Sequence, residues 1–275
     1  MTKKKTSRFF VNLFLLVIIL VSTIPIIWVF FSSFKTEKEI FASALAWPKQ
    51  FNLDNYIRAL TVAPISTFYL NSIIVSVTTT FLNVLILSMS GYVFARFKFR
   101  FKKTLMLILT LSLLIPRTAL IFPLYMVVRS LSLLDTKLGL IVVYTSLCLP
   151  ISLYIMRSYF LTLPKELEES ADLDGAGFLR TFFSVIVPLS LPGMSTAAFM
   201  TFLSSWNDFL FALIISTGFK SRTLPLAFNY FNSQFVANYG PMFAATIMIS
   251  IPTIFVYFMF QEQVISGLTA GAVKS

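Results

Sequence analysis

A chain of 275 residues that is 57% hydrophobic and 12% charged, with a mean hydropathy of +0.85, cannot solvate its own surface in water. A soluble domain carries about 25% charged residues, so lipid is the expected solvent here. The net charge of +11 sits between apolar runs rather than along one polar face, which points to membrane topology and away from nucleic acid. Histidine is absent, which excludes His-based metal sites, His general bases and Ser-His triads. The single Cys148 lies inside an apolar run with no disulfide or zinc partner, and is read as a small residue facing lipid or a helix. No Gly-rich phosphate loop is present, so any ATP that drives this protein is expected on another chain.

Six runs approach the 20 or so apolar residues that cross a bilayer. The first, 9–31, follows Lys3, Lys4, Lys5 and Arg8 and so looks like a signal peptide. Its apolar core exceeds the usual 7–15 residues (roughly) and no A-x-A site follows, so a retained helix is predicted. The others are 69–95, 104–128, 138–156, 193–216 and 242–261. The expected fold is an all-α polytopic membrane protein, organised as 1–67 (first helix and outer loop), 68–263 (a core of five spans) and a C-terminal tail, 264–275.

Lys and Arg number 13 on one side of the alternating topology and 8 on the other, with Arg117 inside a span left out. The cluster Arg96, Lys98, Arg100, Lys102 and Lys103 weighs most, and by the positive-inside rule both termini are cytoplasmic. Loops 32–68, 129–137 and 217–241 then lie outside, and 96–103 and 157–192 inside. The last outer loop exceeds what a helical hairpin needs, and its Phe228, Asn229, Tyr230, Phe231 and Asn232 point to contact with a partner or its ligand.

The long inner loop is chemically distinct. Five of the 11 acidic residues fall within it: Glu166, Glu168, Glu169, Asp172 and Asp174. Pro164 suits a first turn, the acids suit the positive end of a helix dipole, and Gly175 suits a left-handed stop. A short helix over 164–174 follows, outside the bilayer. Leu167 and Ala171 give it a thin apolar stripe that fits a groove on another protein, although an ordinary capped loop helix fits these properties too.

Glu169-Ser170-Ala171, then three residues to Gly175, then Val185-Ile186-Val187-Pro188 resembles the EAA signature of ABC importer permeases. Ser170, Val185 and Val187 replace the family's Ala, Ile and Leu. The likeness runs along most of the chain: Trp47-Pro48, Phe51 to Tyr56, Asn71-Ser72, Gly91 to Phe97, Pro123-Leu124-Tyr125, Leu138-Gly139-Leu140, Trp206 to Leu210, and Gly267 to Lys274. It is similar to the shorter permease of maltose-type carbohydrate importers. The resemblance implies a second permease subunit, a dimer of cytoplasmic ATPase subunits that bind ATP and Mg, and an extracytoplasmic sugar-binding protein. It also implies a transport subunit rather than an enzyme, with no cofactor or metal of its own, set in the cytoplasmic membrane. Glu168, Glu169, Ala171, Asp172, Gly175 and Pro188 would then serve ATPase coupling, together with Gly267, Thr269 and Gly271 in the tail.

Polar groups at membrane depth cost about 2.5–3.5 kcal/mol when charged, and so invite a functional reading. Arg117 and Asp208 lie about 20 Å and 22 Å from the inner ends of their spans, close enough in depth to pair or to share a cavity. Trp206, Asn207 and Asp208 combine an aromatic face with hydrogen-bonding groups, as sugar passage needs, and Asn83 is a further candidate for the pathway. Two bland readings stand beside these: Pro116 breaks the third span so that Arg117 snorkels outward, and the polar groups bond helix to helix. A secondary transporter is the rival class, but no internal repeat supports it.

Overall fold

The computed structural model describes residues 2–43, 46–231 and 238–272, with side chains described over 10–43, 46–231 and 238–263. The chain is helical, with no strand among the described residues. In order, the helices are α1 (Thr2–Ser32), α2 (Glu37–Ala42), α3 (Asp54–Val62), α4 (Ile65–Arg96), α5 (Lys102–Leu113), α6 (Ile121–Ser130) and α7 (Lys137–Phe160). Then follow α8 (Glu166–Leu173), α9 (Phe178–Thr181), α10 (Val187–Leu189), α11 (Leu191–Trp206), α12 (Leu210–Ile215), α13 (Phe228–Phe231) and α14 (Tyr239–Ala272). Four are long and apolar enough to cross a membrane, and the number reaches six when each of two bent pairs is one span.

Two of the predicted spans are not single helices. The third bends by 103° between Lys102–Leu113 and Arg117–Ser130. Pro116 lacks an N–H and holds ψ at 130°, so the ladder stops there and a short 3-10 turn, Arg117–Leu120, restarts the chain. The fifth, predicted unbroken over 193–216, ends at Trp206 and resumes only as α12. At the C-terminus α14 continues as helix to Ala272, across the expected start of the tail at 264, while 273–275 lie outside the described residues.

The chain divides into two compact units. One comprises residues 1–66 and 227–251. There Asn55, buried, donates to the carbonyls of Ser33 (2.9 Å) and Lys35 (2.8 Å), which terminates α1 without leaving those acceptors dry. A capping box between Thr36 and Glu39 starts α2 at once, and Trp28 packs edge-on against Phe243 at 5.1 Å. Residues 10–22 of α1 are all exposed within the chain, as expected of a helix facing lipid or another subunit. In the last outer segment, Phe228–Phe231 form one helical turn with Phe231 buried, and Asn232 lies outside the described residues.

The other unit comprises 67–226 and 252–275 and holds two apolar cores. One gathers Val75, Val128, Leu140, Tyr144, Phe211 and Leu226. The second gathers Tyr92, Met156, Phe160, Phe182, Ile186 and Ala197. Gly91 lets α4 approach α7, since a Cβ there would sit 2.8 Å from that of Met156.

Beyond the first core, Asp135 ties two loops together. Its φ is 57°, and its Oδ1 accepts from the backbone N–H of Thr217 (3.0 Å) and Gly218 (2.7 Å) and from the Ser221 hydroxyl. The Ser221 hydroxyl and the Gly218 N–H hold this carboxyl below its ordinary value of 3.8, helped by Thr217 and the Arg222 charge. A depressed folded pKa means that the stabilisation is complete above pH 3.8 and is lost as pH falls through the lower folded value. Asn keeps the side-chain shape and tolerates positive φ. Asp135→Asn should therefore lower the thermal midpoint of the purified protein at pH 7, and the gap from the native chain should narrow as pH falls below 3.8. Equal midpoints at pH 7 would show that the carboxylate charge does not hold these loops.

Candidate functional site

The inner loop predicted from its acidic cluster forms α8, which runs Glu166–Leu173 rather than 164–174. Pro164 precedes it, and Lys165 occupies the N-cap position. Glu166, Glu168 and Glu169 fill the first turn, where the dipole favours negative charge. The helix ends as expected. Gly175 takes φ +76°, its N–H reaches the Asp172 carbonyl at 3.0 Å, and the Ala176 N–H reaches that of Ala171 at 2.9 Å. This is a Schellman stop, and a Cβ at 175 would meet nothing within 4 Å, so glycine is required by backbone conformation alone.

The two faces of α8 differ from the sequence reading. Ala171 is its one buried residue and packs inward instead of forming a docking stripe. Glu168 also turns inward: the Arg96 Nε donates to its Oε1 at 2.6 Å, and the Arg96 Nη2 donates to the Leu163 carbonyl at 2.8 Å. The exposed face carries Glu169, Asp172 and Asp174 around Leu173, which is 90% exposed. Leu179 and Phe183, also exposed, follow on the next turns. Sequence reasoning missed Leu173, although a leucine set between two aspartates is an available signal.

Pro188 lies in the elbow that follows, not on that face. The residues before it, Phe182–Ile186, form a π-helical turn in which the Val187 N–H reaches back to the Phe182 carbonyl. The wider turn relieves the clash that a proline ring makes with a preceding α-helical carbonyl. Ser190 closes the elbow with its N–H on Ile186 and Val187 (3.0 Å each) and its hydroxyl on Ile186 (2.6 Å). Beyond it the chain turns 76° into α11.

Within the bundle, Asn83 is fully buried. Its Nδ2 donates to the Thr145 carbonyl (3.4 Å), and its Oδ1 accepts from Thr201 Oγ1 (3.1 Å), which also meets Ser152 Oγ at 3.2 Å. It clasps α4, α7 and α11. Asp208 Oδ1 accepts from the Tyr144 hydroxyl (2.9 Å) and from the N–H groups of Phe211 (3.0 Å) and Ala212 (3.2 Å), so it caps α12. Trp206 is buried and stacks on Phe202 at 5.5 Å with Tyr69 edge-on at 5.7 Å. Asn207 is exposed and donates to the Leu203 carbonyl at 3.1 Å.

A cavity of about 380 Å³ opens at the third-span break, lined by Arg117, Ser112, Ser146, Cys148, Met200 and Ser204 among others. Arg117 donates to Ser204 Oγ at 3.0 Å and forms no ion pair with Asp208. Of the five residues expected on a pathway, it is the one that lines this cavity. The three serines come from three separate spans, and no sequence window shows them together. Cys148 is buried in the wall, the helix-facing of its two expected positions.

Residues 88–265 match the family described as binding-protein-dependent transport system inner membrane component. The chain belongs to that family. It is 34% identical to the sulfoquinovosyl glycerol transport system permease protein SmoH of Agrobacterium fabrum over 91% of this chain and 88% of that one. It is 35% identical to the trehalose transport system permease protein SugB of Mycobacterium tuberculosis, over 91% and 92%. Its fold matches a chain of a bacterial ABC transporter that imports the acidic polysaccharide alginate, with a TM-score of 0.81, 23% identity and coverage of 94% and 97%. The permease is thus a multi-pass membrane component of an ABC transport system, and not an enzyme.

Asp208 holds a structural position in this permease. Asp208→Ala removes a helix cap and strands the buried Tyr144 hydroxyl, so it should cost about 2–4 kcal/mol. Asp208→Asn keeps the acceptor oxygen and should cost less than half of that. Thermal unfolding of the solubilised permease measures both. A native midpoint for the alanine variant would return Asp208 to a role in transport alone.

Proposed function

We propose that this permease forms half of the path by which an ATP-driven importer carries a saccharide into the cell, and that α8 is where it couples to a separate ATPase. ATP and Mg would be bound by that ATPase, and an extracytoplasmic sugar-binding protein and a second permease would complete the assembly. The observation that carries the reading is the outer face of α8. A helix outside the spans, stopped by a left-handed Gly175, presents Leu173 at 90% exposure among three carboxylates. An isolated, fully hydrated leucine gains about 1.5–3 kcal/mol on burial, and the surrounding carboxylates offer charge-assisted hydrogen bonds. That is the chemistry of a docking knob. The substrate class is supported by the relatives, whose names speak of a sugar glycoside and a disaccharide. Arg117 brings guanidinium donors to the cavity, and the Ser112 and Ser146 oxygens, whose protons go to the Leu109 and Val143 carbonyls, can accept from a saccharide hydroxyl.

Gly175→Val, Glu169→Lys and Leu173→Asp should each leave the permease in the membrane while ATPase subunits no longer co-purify with it. Loss of binding-protein-stimulated ATP hydrolysis in proteoliposomes should accompany that release. Full retention of both by all three variants would make α8 an ordinary connector.

The same reading places both termini and 157–192 in the cytoplasm, as supported by the 13-to-8 asymmetry of Lys and Arg. In a Cys148→Ala background, Lys165→Cys should resist an impermeant thiol reagent in intact cells and react after permeabilisation. Labelling in intact cells would reverse the orientation.

A further inference from the structure

The interior of α8 bears a second feature that its docking role does not use. We infer that Arg96 and Glu168 form a strut that makes the inner end of α4 move with α8, so that they are positioning residues for coupling and not docking residues. The inference rests on α8 being the docking helix.

The geometry is specific. Arg96 is the last residue of α4, and its guanidinium spans from the Leu163 carbonyl at 2.8 Å to Glu168 Oε1 at 2.6 Å. The two side chains are only 6% and 19% exposed, so water screens the pair weakly. It is the one ion pair among the described residues, and it joins positions 72 apart in sequence. Apart from this pair, Ala171 is the one buried residue of α8.

The α4 side of the strut is anchored. One turn before Arg96, Tyr92 is buried among the rings of Phe160, Phe178 and Phe182 at 5.3–5.7 Å. Arg157 of α7 also donates to the Phe94 carbonyl at 3.3 Å. Displacement of α8 by an ATPase therefore pulls on α4 directly, although α4 is not adjacent to α8 along the chain. Asn83, further along α4, carries that pull to the clasp with Thr145 and Thr201. A neutral pair or a plain chain connection would transmit less, because a charge-assisted bond resists stretching more than a neutral one.

The test uses the assembled importer in proteoliposomes: both permeases, the ATPase dimer and the binding protein with its sugar. Arg96→Gln and Glu168→Gln should retain ATPase subunits on co-purification. They should nevertheless lower the ratio of binding-protein-stimulated to basal ATP hydrolysis at least fivefold. The double exchange Arg96→Glu with Glu168→Arg should recover at least half of the native ratio. Arg96→Lys, which keeps the charge but loses the planar fork that spans Glu168 and the Leu163 carbonyl, should fall between, and it serves if Arg96→Gln accumulates poorly. A native ratio in the single variants overturns the strut, as does loss of the ATPase from Glu168→Gln, which would make Glu168 a docking residue. If the native assembly itself shows no stimulation by its binding protein, it is the importer reading that fails.

Discussion

Hydrocarbon offers no hydrogen bonds, so wherever a spanning helix stops, the chain itself must satisfy the freed N–H and C=O groups. Much of the local architecture of this permease follows from that constraint. Asp208 meets it at the break after α11 by taking the Phe211 and Ala212 N–H groups onto one oxygen, and it shares that oxygen with Tyr144 of α7. Ser190 meets it at the elbow before α11 with both its N–H and its hydroxyl. At the third-span break, Arg117 and Ser204 meet beside a cavity, which is where irregular structure at membrane depth is tolerated.

The same constraint separates two kinds of polar residue that look alike in sequence. Asn83, Asp208 and Ser190 face inward and are consumed by contacts between or within helices. Arg117 donates to Ser204 and lines the cavity. The acids of α8 divide in a comparable way. Glu168 is held by Arg96, while Glu169, Asp172 and Asp174 surround Leu173 on the exposed face. One helix thus carries a contact with its own bundle and an exposed leucine offered outward. The core of Tyr92, Phe160, Phe182 and Ile186 joins α4 and α7 to the π-turn that follows α9.

Much of this was legible beforehand. Four apolar runs, the short acidic helix and the left-handed stop at Gly175 appear where the residue pattern places them, while the third run is bent at Pro116 and the fifth stops at Trp206. The likeness to the EAA signature led to the family that residues 88–265 match. The interruption at Asn207–Phe209 was not legible, because hydropathy averages over a window and is blind to one carboxylate that outcompetes backbone carbonyls for N–H groups. The facing of α8 was misjudged for a related reason. Leu167 and Ala171 share a stripe, but Glu168 and Ala171 share one as well, and periodicity alone does not say which stripe meets the bundle.

The sequence by itself determined the solvent, the number of apolar runs, the asymmetry of charge and the family, since each depends on composition or on spacing between near neighbours. Tertiary structure decided which polar groups are spent and which are offered. Arg96 meets Glu168 across 72 positions, Asn83 meets Thr201 across 118, and the serines of the cavity come from three spans. Pairings of that range are set by how helices pack, through approaches such as that of Gly91 to Met156. No local pattern encodes them, because the same side chain is a clasp or a pathway residue according to what stands opposite.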